Sequence, residues 1–198
     1  MAAGTKYNLP PEYKPEEFYR VETGVRKSGP WKLDITNLIV GSTLPVFTPV
    51  EADLKKRTIV PVRNVKVVEA YANGAADLTI KIAKGSLAYN GMFIGSGKKG
   101  AEVTAIDKTN KAYDVLTIKA VFGEKIEKDA VLFEATAVEG TVKKNTATFV
   151  IYAETKVEEG VVLPTLLMQA YEVKESKLIL PIHELDKVGL TSRFQFEY

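Results

Sequence analysis

The side chains that could do chemistry are few and scattered. Among 198 residues there is one histidine, His183, and no cysteine. Composition alone therefore excludes thiolate nucleophiles, thiolate-bound metals and disulfides. Histidine is the commonest general base, but His183 has little to activate. The serines are Ser28, Ser42, Ser86, Ser96, Ser176 and Ser192, and none stands in the Gly-x-Ser-x-Gly spacing of a nucleophile elbow. His183 reads as the start of a short helix, and its replacement by alanine is expected to change little.

Gly95, Gly97 and Gly100 carry the glycine spacing of a dinucleotide fingerprint. That fingerprint needs a helix to follow, whose N-terminus holds the pyrophosphate. Here Ala101 to Ile106 alternates like a strand, and Asp107 comes too early to bind a ribose. The loop also fails as a Walker motif, because Lys99 follows Gly97 and Lys98 where a magnesium-binding Ser or Thr is required. It reads as a solvated hairpin loop in which Gly97→Ala is expected to be tolerated. Glu16 with Glu17, and Glu158 with Glu159, are neighbours that a strand points to opposite faces, so neither makes a glycosidase pair. The carboxylates of the Asp107 to Asp114 and Gly123 to Asp129 turns stand among lysines, whereas a hard cation needs several oxygens converging on one point. No catalytic residue, cofactor or metal is expected.

The elements that would position any site are strands. From Val65 to Thr136 short apolar-polar runs alternate with turn residues: Val65 to Tyr71, Leu78 to Ala83, Gly91 to Ile94, Ala101 to Ile106, Val115 to Val121 and Val131 to Ala135. Leu78, Ile80 and Ile82 share one face, and Val115, Ile118 and Val121 sit among polar neighbours with a looser rhythm. Ala147 to Tyr152, Val161 to Leu163, Leu166 to Val173 and Leu178 to Ile182 continue the pattern. His183 to Leu190 is the best helix candidate, and Phe194, Phe196 and Tyr198 alternate in a terminal strand. The expected fold is mainly β, an antiparallel sandwich or barrel-like domain over 58–198 with one short C-terminal helix.

Residues 1–57 read as an extended arm ahead of that domain, with the boundary at Arg57. Six of the nine prolines lie here, each blocking helix continuation and removing a ladder donor. The arm also carries Tyr7, Tyr13, Phe18, Tyr19, Trp31 and Phe47, and aromatic rings seek burial. With Phe194, Phe196 and Tyr198 they are the expected contacts to sister subunits or a larger assembly, where a closed homo-oligomer would bury every copy identically; the competing reading is an arm that folds back on its own domain and leaves a monomer.

Composition bounds the partners. Twenty-seven basic and 25 acidic residues are interspersed for a net charge of +2, so no basic field for nucleic acid is present. No apolar run approaches the roughly 20 residues of a membrane span. Residues 1–13 lack a charged region followed by an apolar one, so no secretory signal is expected and synthesis is assigned to a cytoplasm.

The segments RTIVPVRNVKVVEAYANG, KIAKGSLAYNGMFIG, YDVLTIKAVFGEKIEKDAVLFEA and KLILPIHELDKVGLTSRFQFEY resemble the head fibre and capsid decoration proteins of tailed bacteriophages and prophages of gut bacteria. The resemblance covers Pro45 to Tyr198 and rests on overall wording. It implies a non-enzymatic virion structural protein on the outer capsid surface, a homotrimer anchored to the major capsid protein and surrounded by other virion proteins. It supplies no catalytic residue. The chain lacks the heptads or collagen-like repeat of a long fibre shaft. The alternative is an adhesion or carbohydrate-binding β module.

Overall fold

The computed structural model describes residues 18–74 and 76–197. Five strands come first: β1 (Val25–Lys27), β2 (Lys32–Leu33), β3 (Thr43–Leu44), β4 (Pro49–Asp53) and β5 (Thr58–Pro61). Six follow: β6 (Asn64–Lys66), β7 (Thr79–Ala83), β8 (Phe93–Gly95), β9 (Gly100–Asp107), β10 (Tyr113–Ile118) and β11 (Val131–Glu134). The last are β12 (Phe149–Ile151), β13 (Thr155–Lys156), β14 (Leu166–Lys174) and β15 (Phe194–Glu197), with α1 (Glu184–Leu190), the single α-helix among the described residues, between β14 and β15.

The middle strands form one unit. Their order is β6-β11-β8-β9-β10-β7, and an antiparallel bridge between Val67 and Ile82, with Val68 N donating to Lys81 O at 3.0 Å, brings the two ends together. The sheet thus curls into a barrel-like unit whose end strands meet at that bridge, which shortens the open edges that invite aggregation. Alternation drives it: in β7 Ile80 and Ile82 point inward while Lys81 points out. The barrel fills with Val65, Val67, Met92, Ile94, Val103, Leu116, Ile118, Phe122 and Leu132, each worth about 1.5 to 3 kcal/mol buried.

The flanking strands meet across that insertion. They make a seven-stranded sheet of order β1-β14-β12-β4-β5-β2, with β15 beside β14, and β3 pairs with β13 in a separate ribbon. Its central strand β12 is buried at all three residues. The reason is that both faces are covered: Val150 and Leu167 enter one cluster with Phe47, Leu190 and Phe194, whereas Phe149, Ile151 and Leu166 enter another with Trp31, Leu33 and Ile59. Strands covered on both faces read as unbroken apolar runs. The pairings are antiparallel except β2 with β5 and β14 with β15.

The mainly β fold with one short C-terminal helix is as expected, but its organisation differs in four places. Residues 18–57 do not stand apart as an arm, because they supply β1 to β4. The boundary placed at Arg57 falls in the β4-β5 hairpin, where Asp53 pairs with Thr58 and its Oδ1 accepts from Lys55 N and Lys56 N at 2.9 and 3.0 Å. Prolines did not prevent this, since Pro49 opens β4 and Pro61 closes β5, positions where a missing donor costs little. Residues 1–17 lie outside the described residues. Segments 161–163 and 178–182 are irregular; Val161 and Leu163 are exposed, while Val162 O accepts from Leu33 N. The inward phase of β10 is Asp114, Leu116 and Ile118, because buried Asp114 is paired with Lys84 at 2.6 Å.

Candidate functional site

The aromatic residues expected at contacts to other molecules are largely covered by the chain itself. Tyr19, Trp31, Phe47 and Phe194 are buried, and Phe18 and Phe196 are half-buried. Phe47 is the meeting point, 5.9 Å from the Tyr19 ring and edge-on to Phe194 at 6.0 Å. Trp31 stacks at a tilt on Phe149 at 6.3 Å. Tyr7, Tyr13 and Tyr198 lie outside the described residues. The apolar demand attributed to the arm is thus met internally through Tyr19, Trp31 and Phe47, because the first strands return to pair with the last.

The glycine spacing at Gly95, Gly97 and Gly100 has a packing cause. Gly95 and Gly100 are paired across β8 and β9, and the backbone of Gly140 lies directly on them. A Cβ at Gly95 would sit 2.3 Å from Gly140 O, and one at Gly100 would sit 2.5 Å from Gly140 Cα. Gly97 N donates to Gly140 O at 3.0 Å, and Gly97 has a φ of 93°. The loop is therefore clamped, not merely solvated.

His183 caps α1. Its Nδ1 accepts from Leu185 N at 3.1 Å, and its own N donates to Asp186 Oδ2 at 3.3 Å, which makes a capping box. The ring also stands edge-on to Phe133 at 5.0 Å. Alanine at either Gly97 or His183 removes a defined feature, so the expectation of near neutrality does not survive the geometry: a positive φ disfavours any side chain, and a lost cap costs about 1 kcal/mol.

The densest polar chemistry lies where barrel and sheet meet, in two buried clusters. In the first, Glu134 at the end of β11 accepts from Arg63 Nη1 at 3.2 Å, Tyr89 Oη at 2.7 Å and Lys144 Nζ at 2.7 Å. Arg63 Nη2 donates to Thr36 O at 2.6 Å, which ties the loop after β2 to the barrel. In the second, Asp186 Oδ2 accepts from Asn64 Nδ2 at 2.8 Å and from Lys143 Nζ, while Oδ1 accepts from Ala147 N at 2.9 Å. Lys143 Nζ also donates to Asn64 Oδ1 at 2.9 Å, and Asn64 Nδ2 to Pro181 O at 2.9 Å. The side chains of Lys143 and Asp186 are 4% and 0% exposed. Charges so buried persist only when paired and hydrogen-bonded.

Environment shifts these groups in opposite directions. Burial pushes the Glu134 carboxyl up, but the hydrogen bonds from Lys144 and Tyr89 and the Arg63 charge outweigh it and hold the group below the usual range. Lys144 is raised, chiefly by its hydrogen bond to Glu134. Lys143 is lowered by burial, which Asp186 offsets only in part. His183 is lowered by burial and by the neighbouring Lys143 charge. Sequence reasoning missed Arg63, Asn64, Glu134 and Lys143 entirely, because the contacts that join Arg63 to Glu134, Asn64 to Lys143 and to Asp186, and Lys143 to Asp186 span 43 to 122 positions. Asp186 did carry a signal, standing at capping-box spacing after His183.

Shallow grooves elsewhere gather no comparable chemistry. The one beside β2 and β5, about 400 Å³, is lined by Lys32, Leu33, Asp34, Ile35, Thr58, Val60 and Gly160. Among the described residues no cluster of three or more His, Asp or Glu side chains could hold a metal, and no helix is long and apolar enough to cross a membrane. Compared with known proteins, a family model described as head fiber protein matches residues 2–195. No curated protein and no solved structure matches the chain.

Proposed function

From the premise that this chain belongs to the phage head fibre family, and so is a virion structural protein, we propose that it stands on the outer capsid surface. There it acts without catalysis, anchored to the major capsid protein as a closed homo-oligomer, most simply a trimer. The observation that carries this reading is the family match over nearly the whole chain. The structure adds physical support: the polar chemistry is spent inside the molecule, on locking barrel to sheet.

The anchor is assigned to residues 1–17. Residues 18–57 of the Pro- and aromatic-rich N-terminal region are consumed by the sheet, and residues 1–17 carry Tyr7 and Tyr13 among Pro10, Pro11 and Pro15. Phe18 follows directly and is fixed to the end of β14, its O accepting from Lys174 N at 2.9 Å. Deleting residues 2–17 should leave the melting transition of the purified protein within about 1 kcal/mol of the full chain, as for changes away from a core, and abolish its incorporation into particles. Electron microscopy of particles carrying the truncated and full-length chains reads both outcomes. Density for the truncated chain on the capsid would overturn the anchor, and density for the full chain inside the shell would overturn the surface location.

A further inference from the structure

Three groups that together form a covalent bond in other chemical settings are held in contact in the second buried cluster. Lys143 supplies a primary amine, Asn64 a carboxamide and Asp186 a carboxylate. One oxygen, Asp186 Oδ2, touches both Lys143 Nζ and Asn64 Nδ2, while Nζ also touches Asn64 Oδ1 at 2.9 Å. The amide orientation is fixed by its partners: Pro181 O can only accept and Lys143 can only donate, so Nδ2 and Oδ1 are assigned unambiguously. Asn64 is 2% exposed, and the Lys143 amine lies over the Phe133 ring at 5.8 Å, a ring that also meets His183 edge-on at 5.0 Å.

We propose that Lys143 and Asn64 condense into an intramolecular isopeptide bond, with Asp186 relaying the protons. Asp186 takes a proton from Nζ, and the free amine attacks Asn64 Cγ. Asp186 passes that proton to Nδ2, the Cγ–Nδ2 bond breaks to release ammonia, and Asp186 carries a second proton from Nζ to the ammonia, which leaves as ammonium. Nζ begins with three hydrogens and Nδ2 with two; the new amide keeps one, ammonium carries four, and Asp186 is a carboxylate at both ends. No oxidant or co-reactant is needed. A positioned carboxylate is the usual relay for such a transfer, and a desolvated lysine is the usual way to obtain a nucleophilic amine. Burial lowers Lys143 in this sense.

The neighbouring cluster shows what the reaction requires. Lys144 and Glu134 are also in contact, but no carboxamide joins them and Lys144 is 46% exposed. The bond would join the chain as it enters the barrel, at β6, to the chain as it leaves, since Asn64 and Lys143 are 79 positions apart. It would close the barrel into a covalent ring in a protein that has no cysteine with which to do so.

The test is the intact mass of the purified, denatured full chain, followed by proteolytic mapping. The expected wild-type result is a deficit of one ammonia relative to its sequence, with a branched peptide joining Lys143 to Asn64. Lys143→Arg, referenced to its own sequence, should show no deficit and should migrate more slowly than wild type in denaturing gels. A wild-type mass equal to the sequence mass overturns the proposal, and this readout does not depend on any variant folding. A deficit mapped to a succinimide at Asn73 or Asn90, each followed by glycine, overturns it too. A deficit of one water with the branch at Asp186 would overturn the assigned roles, as would a full deficit in folded Asp186→Asn.

Discussion

Gly95→Ala separates a packing role for the glycine loop from a merely flexible one. The added Cβ would lie 2.3, 2.6 and 2.8 Å from O, Cα and C of Gly140, whereas unstrained carbon contacts fall at about 3.5 to 4.0 Å. All three neighbours are backbone, so no rotamer change relieves the overlap; the 137–140 turn must lift away from β8 and β9 by about 1 Å, an overpacking that costs about 3 kcal/mol. Gly97→Ala is the control from the same loop. Its nearest neighbour is Phe133 Cε1 at 4.0 Å, so only the left-handed backbone is strained, by about 1 kcal/mol. For a chain of this size each kcal/mol moves the midpoint by about 2 to 4 °C, which gives a drop of about 6 to 12 °C for Gly95→Ala and about 2 to 4 °C for Gly97→Ala. Calorimetric melting of the two variants beside the parent reads the difference. Equal drops, or a Gly95→Ala midpoint within a degree of the parent, would refute the clamp.

Glu134→Gln should destabilise by about 3 to 5 kcal/mol, since it leaves buried Arg63 without its counter-charge; urea unfolding of a variant within 1 kcal/mol of the parent would show that the pair is dispensable. Acid should act in two stages, because both Glu134 and His183 titrate below their unfolded values of 4.5 and 6.5. The unfolded chain therefore binds protons first, and stability falls as pH drops below about 6.5 through His183 and again below about 4.5 through Glu134. Urea midpoints between pH 8 and pH 3 test the sign, and a midpoint that rises on acidification contradicts it. Phe194→Ala should cost about 3 to 5 kcal/mol as a core truncation without altering the mass measured by light scattering; a dissociated assembly of unchanged stability would return Phe194 to an interface.

Alternation along the chain was sufficient to announce strands, because a half-buried strand repeats every two residues and needs no knowledge of its partner. Ile80 with Ile82, the run of β14 and the Phe194 strand were all legible in this way, as were the two turns of α1 and the absence of thiol chemistry. Partnership was not legible. Whether Trp31 and Phe47 face solvent, a capsid or their own sheet depends on strands more than one hundred residues later, and apolar residues look the same in each case. The glycine spacing misled for the same reason: Gly95 and Gly100 are required by the Gly140 backbone folded against them, which no local window contains. The buried junction lay furthest from view. Arg63, Asn64, Glu134, Lys143 and Asp186 resemble ordinary surface residues until β5, β6, β11 and α1 converge, and only the tertiary structure removes the water that makes their contacts consequential.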